Sequence, residues 1–241
     1  MGSKLYRAAA VPAALAAAGL IAACGGSSPS SSSSSSPAAS PSPTATSAAQ
    51  ILPKMKAAVA SAQSVHMSGS ATSGGQHVTF DVSFFGKTGV DGSVGLNGTT
   101  FVILSVGGKT YIKINAAFLK VAGAPAAACA RVCGKYIEAP AAQARQLTGS
   151  FTLGSLAKQA FAKLPGAGSS AAGTFTPATV NGQQTLQFSQ GGNTIAVAAT
   201  GTPYPLLIKD TTGDNIQFSQ WNSVTTPSAP PASQVIPPGQ L

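Results

Sequence analysis

The stretch that decides the fold is residues 77–84, whose sequence HVTFDVSF alternates strictly between polar and apolar side chains. Val78, Phe80, Val82 and Phe84 share one face, because successive side chains of a β-strand point to opposite sides. A strand with one apolar face and one polar face is typical of a half-buried sheet. Residues 77–84 therefore predict a sheet with one covered face and one face open to water.

Shorter stretches on both sides of this strand form two blocks of predicted strands. The first block also contains residues 65–70, 90–96, 100–106 and 109–114, and the second contains 174–180, 183–190, 193–199, 205–210 and 215–221. Turn signals such as Gly107-Gly108 and Asn181-Gly182 separate neighbouring strands. Such pairs supply the positive φ that tight antiparallel hairpins need. The two blocks predict one large antiparallel sheet.

Two helices are predicted to cover this sheet, at residues 48–62 and 152–164, and the first places Ile51, Leu52 and Met55 on one face. A sheet of this size twists and curls, and two short helices cover it incompletely. The predicted fold class is α+β, a large curled antiparallel sheet forming a half-barrel around a few helices. Both a filled core and an apolar hollow remain open as interiors of this fold.

If the interior is a hollow, the apolar faces of the strands line it. The candidate lining residues are Val78, Phe80, Val82, Phe84, Val102, Leu104, Ile112, Ile114, Leu186 and Phe188.

The N-terminus has the features of an export signal followed by a lipid anchor. Lys4 and Arg7 precede an apolar run at residues 8–23, which is shorter than the roughly 20 residues of a membrane-spanning helix. The run ends in Ile21-Ala22-Ala23-Cys24, which resembles a bacterial lipobox. We expect residues 1–23 to be a signal peptide and acyl chains on Cys24 to hold the protein at the extracytoplasmic face of the cell membrane. An ordinary secretory signal, with Cys24 incidental, is the alternative.

Composition divides the rest of the chain into three parts. Residues 24–47 are a Ser/Pro-rich linker and residues 225–241 a Pro-rich tail, both predicted to be disordered. Residues 48–224 are predicted to form one domain, which we expect to be a monomer.

The net charge of +9 falls to +7 once Lys4 and Arg7 leave with the signal. Basic residues are scattered singly, which argues against nucleic acid as a partner. Weak attraction to anionic lipids or wall polymers and an incidental excess of lysine both remain open.

Cys129 and Cys133 are expected to form a disulfide, because an exported protein meets an oxidising environment. Their Cα atoms must then lie about 4.4–6.8 Å apart, which requires a turn and not an extended strand. Two thiols without further ligands do not make a metal site, and we expect no metal or cofactor. The scattered carboxylates and two histidines do not form an acid–base pair in the sequence, and we expect no catalytic residue.

Four short segments carry a resemblance to a known family. They are Ser64-Val65-His66-Met67-Ser68-Gly69, Gly108-Lys109-Thr110-Tyr111-Ile112, Val180-Asn181-Gly182-Gln183-Gln184-Thr185 and Ile216-Gln217-Phe218-Ser219-Gln220-Trp221. With the lipobox and linker, their order resembles the mycobacterial LppX/LprAFG-type lipoproteins, relatives in fold of the lipoprotein carriers LolA and LolB. This resemblance implies a LolA-like half-barrel whose hydrophobic cavity holds an acylated lipid or glycolipid. The spaced cysteine pair and the few long aliphatic side chains depart from the family.

Two functions follow from these observations. The first is an anchored envelope lipoprotein that binds an acylated lipid and carries or presents it, without catalysis. The alternative is a non-catalytic surface lipoprotein that binds a protein or cell-wall partner through its sheet or tail.

Overall fold

A computed structural model describes residues 43–73, 75–96, 98–150, 152–155 and 172–240. The expected signal peptide, Cys24 and most of the expected linker lie outside the described residues, as do residues 156–164 of the second predicted helix. The strands are β1 (Thr46–Ser47), β2 (Ser64–Ser73), β3 (Gln76–Phe85), β4 (Gly89–Leu96), β5 (Thr99–Val106), β6 (Lys109–Lys113), β7 (Tyr136–Glu138), β8 (Thr174–Val180), β9 (Gln183–Gln190), β10 (Asn193–Ala198), β11 (Pro205–Lys209), β12 (Asn215–Ser219) and β13 (Val235–Ile236). The helices are α1 (Ala48–Ser61), α2 (Ala116–Val121), α3 (Cys129–Val132) and α4 (Ala141–Ser150).

The thirteen strands of the described residues belong to one open sheet in the order β1-β8-β9-β10-β11-β12-β2-β3-β4-β5-β6-β7-β13. Neighbouring strands are antiparallel except β7 and β13, which run parallel, so the sheet is mixed where a wholly antiparallel one was predicted. Every predicted strand is present, as β2–β6 and β8–β12. The two blocks meet where β12 pairs with β2.

Short strands extend both edges of the predicted sheet. At one edge β1 pairs with β8, which brings the last two residues of the expected linker into the sheet. At the other edge Val235 and Ile236 lie against Tyr136 and Ile137. The expectation of a disordered tail is therefore wrong for these two residues, because their backbone joins the ladder beside β7.

One apolar cluster contains residues of α1 and of strands from both halves of the sheet. Ile51, Leu52 and Met55 of α1 share this cluster with Phe188 of β9 and Ile103 of β5. In a flat sheet β9 and β5 would lie seven spacings apart, or roughly 34 Å at the usual strand separation. The cluster is continuous through the strands between them, and its extent over α1 and both halves of the sheet is consistent with a curled sheet.

Glycines in β2 and β4 adopt a backbone conformation that permits local kinks in these strands. Gly69 in β2 and Gly92 in β4 have φ of 138° and 151°, values that other residues rarely adopt. A Cβ on Gly69 would overlap the carbonyl oxygen of Asn215, and one on Gly92 would overlap the backbone of Asp81 and Val82. Glycine kinks of this kind introduce curvature into a sheet.

The two ends of β2–β6 differ in what lies next to them. We call the end that contains Val78, Leu96 and Phe101 the upper end, and the opposite end the lower end. The chain after β12 begins at the lower end, where the amide of Val224 donates to the Ser64 hydroxyl at 3.2 Å. Thr226 then lies beside Phe85 in a small hollow formed with the β3–β4 and β5–β6 turns. The tail thus crosses the lower end before it reaches β7.

The segment between β6 and β7 lies at the upper end, because β6 ends there and β7 begins there. It contains α2, a short 3-10 helix at Ala126–Ala128, and α3. Asn115 begins α2, since its side chain accepts a hydrogen bond from the Phe118 amide at 2.8 Å. The sequence did not predict α2 or α4, which are short and lack a regular apolar period.

Candidate functional site

A group of half-buried apolar side chains lies at the upper end of the sheet. On the face that packs on α1, Val78 lies directly opposite Leu96, and Phe80 opposite Val94. Val94 in turn lies opposite Phe101, whose ring meets Phe118 of α2 edge to face at 5.8 Å. We call Val78, Phe80, Leu96, Phe101 and Phe118 the upper rim; all five are half-buried.

Beside this rim, the sheet has a gap in its side-chain cover. Gly69 pairs with Phe80 on one side and with Ile216 on the other. Phe80 and Ile216 therefore stand two strands apart, or about 10 Å, without a side chain between them. Both side chains are only partly buried, so the gap adjoins an apolar surface that water reaches.

Four of the predicted lining residues belong to a packed core instead. Val82, Phe84, Leu186 and Phe188 are each at most 5% exposed and lie in the cluster that contains α1. Phe188 also stacks on Phe175 with ring centroids 5.4 Å apart. None of the three hollows described among the placed residues is lined by any of the ten predicted positions. Of the ten, Val78 and Phe80 alone contribute to the upper rim.

Two other predicted lining residues lie on the opposite face of the sheet. Val102 pairs with Ser93 and Leu104 with Asp91, whereas Ile103 pairs with Gly92 on the face toward α1. Phe101 and Ile103 are therefore the inward residues of β5, and Val102 and Leu104 point outward. The assignment of Val102 and Leu104 to an inner cavity is corrected by this register.

The last two predicted positions belong to β6 and its end. Ile112 pairs with Ile103 and so lies on the inner face, half-buried. Ile114 follows the end of β6, and its carbonyl oxygen accepts a hydrogen bond from the Gly134 amide at 3.4 Å. Neither residue belongs to the core cluster.

The sequence reasoning missed Leu96, Phe101 and Phe118. Residues 99–106 read TTFVILSV, an almost continuous apolar run that does not reveal which alternate residues point inward. The length of the hairpin turn between β4 and β5 fixes which residues of β5 point inward. Because Leu96 pairs with Thr99 across a two-residue connection, counting from Val94 places Phe101 inward.

The outer face carries a polar cluster that resembles a catalytic arrangement. His66 Nδ1 lies 3.0 Å from the Ser83 hydroxyl, and His66 Nε2 lies 3.5 Å from a carboxylate oxygen of Asp81. His66 of β2 pairs with Ser83 of β3 in the ladder, and Asp81 lies two residues from Ser83, opposite Ser68. A hydroxyl, an imidazole and a carboxylate are the parts of a nucleophilic triad.

Acyl transfer also needs hydrogen-bond donors that stabilise an oxyanion, and here the backbone does not offer them. Strand β3 is paired along both edges, with β2 and with β4, so its amides around Ser83 are used by the ladder. The side chain of Asp81 is 68% exposed, so water screens its interaction with His66. This geometry favours a surface hydrogen-bond group over a catalytic centre.

Two ionisable groups on the same outer face have shifted pKa values. Partial burial raises the pKa of the Asp91 carboxyl, because desolvation disfavours the charged form. A hydrogen bond from Lys109 to Glu138, at 3.1 Å, raises the pKa of the Lys109 ammonium. Neither group adjoins the upper rim, since both point to the outer face.

Within the described part of the chain, no three residues among the histidines, cysteines and acids are placed to hold a metal ion. No helix among the described residues has the length and apolar character needed to cross a membrane. The chain matches no model of a known protein family, and a search of curated proteins likewise found no match.

Proposed function

We propose that this chain is a membrane-anchored lipoprotein of the cell envelope that binds the acyl part of a lipid or glycolipid at the upper rim and carries or presents it. The observation that carries the proposal is the upper rim itself, five half-buried apolar side chains beside the gap at Gly69. Sites for apolar ligands are predominantly hydrophobic with few polar groups.

The asymmetry between the two ends of the sheet supports this choice of site. At the lower end, the tail lies over the turns and adds hydrogen bonds to Ser64. At the upper end, Phe80 and Phe101 are half-buried and pack against the edge of the core. An acyl chain that covered them would remove apolar area from water, which is worth about 25 cal/mol per Å².

The resemblance to LppX/LprAFG-type lipoproteins adds a second support. A LolA-like half-barrel is the finer fold that we propose for the curled sheet around α1. The proposal moves the ligand from the interior, where Val82 and Phe84 are packed, to the rim. The expected lipobox at Cys24 supplies the anchor.

The test compares two neighbouring substitutions on opposite faces of β5. We expect Phe101→Ser to reduce binding of a fluorescent fatty acid and co-purification of lipid in native mass spectrometry, because Phe101 belongs to the rim. Val102→Ser is the matched control, since Val102 is also half-buried but points outward. Both variants are made in the mature chain from residue 24 with Cys24→Ser, which has no acyl anchor of its own.

If the parent chain binds no acyl probe and carries no extractable lipid, the proposal fails and binding of a protein or wall partner takes its place. Equal loss of binding in Phe101→Ser and Val102→Ser would also contradict a site at the rim. Thermal unfolding of both variants separates lost binding from lost folding.

A further inference from the structure

The loop between α2 and α3 is a second apolar surface, separate from the upper rim. Residues 121–127 have the sequence VAGAPAA, without a polar side chain, and all of them except Ala124 are exposed. Val121 is 66% exposed, and among the described residues it is the one large apolar residue in the exposed class. Contiguous exposed apolar patches that are rimmed by polar residues are a feature of protein and membrane contact sites.

A hollow beside this loop enlarges its apolar surface. It has a volume of about 530 Å³ and is lined by Ala116, Leu119, Lys120, Gly123, Ala124, Ala126 and Cys129. Lysine is the sole charged residue in that lining. The disulfide between Cys129 and Cys133 closes the first turn after the loop, with Cα atoms 4.7 Å apart, and so limits its movement.

Basic side chains surround the loop without acidic partners. Lys120, Arg131 and Lys135 are all exposed. Ion pairs among the described residues join other groups, such as Lys109 with Glu138 at 3.1 Å. Between residues 109 and 145 the chain has six basic residues and one acidic residue, Glu138. The region around the loop is therefore an uncompensated positive surface.

We infer that residues 120–135 form a docking surface for an anionic membrane, in which Val121 and the alanines of the loop enter the interface while Lys120, Arg131 and Lys135 contact lipid headgroups. Amphipathic surfaces of this kind combine buried apolar area with attraction to anionic lipids. Near such a membrane each basic residue contributes about 1 kcal/mol, or roughly fivefold in binding. The charge complementarity selects a membrane over a neutral apolar partner.

The docking surface lies close to the proposed acyl site. Phe118 of α2 contacts Phe101 of the upper rim, and Lys120 and Val121 follow Phe118 in the same helix. A membrane contact through the loop would thus bring lipid near the rim. The inference itself requires no acyl binding, and its test uses different variants.

The experiment measures sedimentation of the mature Cys24→Ser chain with phosphatidylcholine vesicles, with and without phosphatidylglycerol. We expect binding to the anionic vesicles that weakens as salt rises, because surface charges are screened. Val121→Asp should reduce this binding at least tenfold without loss of thermal stability, since Val121 makes little contact with the domain.

A pair of triple variants tests the basic residues at constant net charge. Lys120→Gln, Arg131→Gln and Lys135→Gln together should lower anionic vesicle binding by on the order of 100-fold. Lys54→Gln, Lys87→Gln and Lys209→Gln remove the same charge from exposed positions elsewhere and should have a much smaller effect.

Equal losses in the two triple variants would overturn the inference, because net charge alone would then explain binding. So would the absence of vesicle binding, or unchanged binding of Val121→Asp. These outcomes leave the acyl-binding proposal standing, since that proposal is tested at Phe101 with a soluble probe.

Discussion

At the scale of single residues, glycines decide where the sheet can bend. Gly69 and Gly92 interrupt the rows of inward side chains, at positions where the backbone of the neighbouring strand leaves no space for a Cβ. Turn glycines such as Gly107 have open surroundings and serve only the turn. The sequence does not distinguish strand glycines such as Gly69 from turn glycines such as Gly107, although only the strand glycines affect the inner face of the sheet.

Gly92→Ala is predicted to be strongly destabilising, because alanine resists a φ of 151° and its methyl group would overlap the backbone of β3. We expect a loss of about 2–4 kcal/mol in the free energy of unfolding, measured by denaturant titration. Gly149→Ala is the matched control. Gly149 lies in α4 with open surroundings, so alanine should stabilise by up to about 1 kcal/mol. Similar stabilities for the two variants would contradict the role given to Gly92.

Asp91 is predicted to make stability depend on pH. Its pKa is raised by desolvation in the folded state, so the folded chain binds the proton more tightly than the unfolded chain does. Burial of the charged Asp91 carboxylate therefore lowers the stability of the folded chain only when the group is ionised. This destabilisation is absent below the unfolded-state pKa, grows as pH rises and is complete above the folded-state pKa. Asp91→Asn should raise the free energy of unfolding at neutral pH by on the order of 0.5 kcal/mol, because the group is partly exposed.

The same measurement at acidic pH provides the internal check. Below the unfolded-state pKa of Asp91, Asp91→Asn and the parent chain should no longer differ for this reason in their free energy of unfolding, since both are then neutral at this position. A constant difference across the whole pH range would exclude desolvation of Asp91 as its cause.

At the scale of elements, the segment between β6 and β7 acts as an ordered insertion. Its helices are too short to be stable alone, and α2 depends on the Asn115 cap and on contact between Phe118 and Phe101. The disulfide predicted from the oxidising environment of an exported chain is confirmed, and it closes a single helical turn. The apolar loop is therefore held on one side by α2 and on the other by the disulfide-closed turn of α3.

Replacement of both Cys129 and Cys133 by serine should leave the chain folded with a small loss of thermal stability. A ring this short constrains the unfolded chain by less than the roughly 3 kcal/mol expected for a 15-residue loop. The backbone bond from the Cys133 amide to the Cys129 carbonyl, 2.9 Å long, can persist without the sulfurs. Calorimetry measures the change in Tm. A thiol titration of denatured, unreduced protein that found Cys129 and Cys133 both free would contradict the bridge.

At the scale of the whole molecule, the chain combines a curled sheet, an expected N-terminal anchor and a tail that returns to the sheet edge. The tail lies beside Phe85 at the lower end and then pairs with β7, whose first residue, Tyr136, lies toward the upper end. The proposed acyl site and the proposed membrane contact both lie at the upper end, joined by Phe118 and Phe101. The proposed lipid-binding function places both lipid contacts at the same end of the sheet.

Cys24→Ala is predicted to abolish labelling by a palmitate analogue and to release the protein from the membrane fraction, because both acyl chains depend on that sulfur. The Cys129→Ser and Cys133→Ser double variant serves as the control and should keep its label, since it retains Cys24. Label that persisted in Cys24→Ala would contradict the proposed anchor.

The sequence by itself determined the strands and most of their neighbours, because alternation and turn glycines act over a few residues. Strands β2–β6 and β8–β12 and the helix α1 were predicted on this basis. It also predicted Val78 and Phe80 as inward residues, since polar side chains alternate with them in β3. The disulfide was predicted from the expected export of the chain, and the short spacing between Cys129 and Cys133 required a turn.

Only the tertiary structure decided which face an apolar run presents and which distant segments pair. Phe101 points inward and Val102 outward because pairing with β4 sets the register of β5. The apolar run in β5 by itself is compatible with either set of alternate residues pointing inward. Val235 joins β7 across about a hundred residues of chain, a contact that no local pattern encodes. The packed state of Val82 and the exposure of Val121 likewise depend on what surrounds them, because burial is a property of neighbouring elements and not of the residue itself.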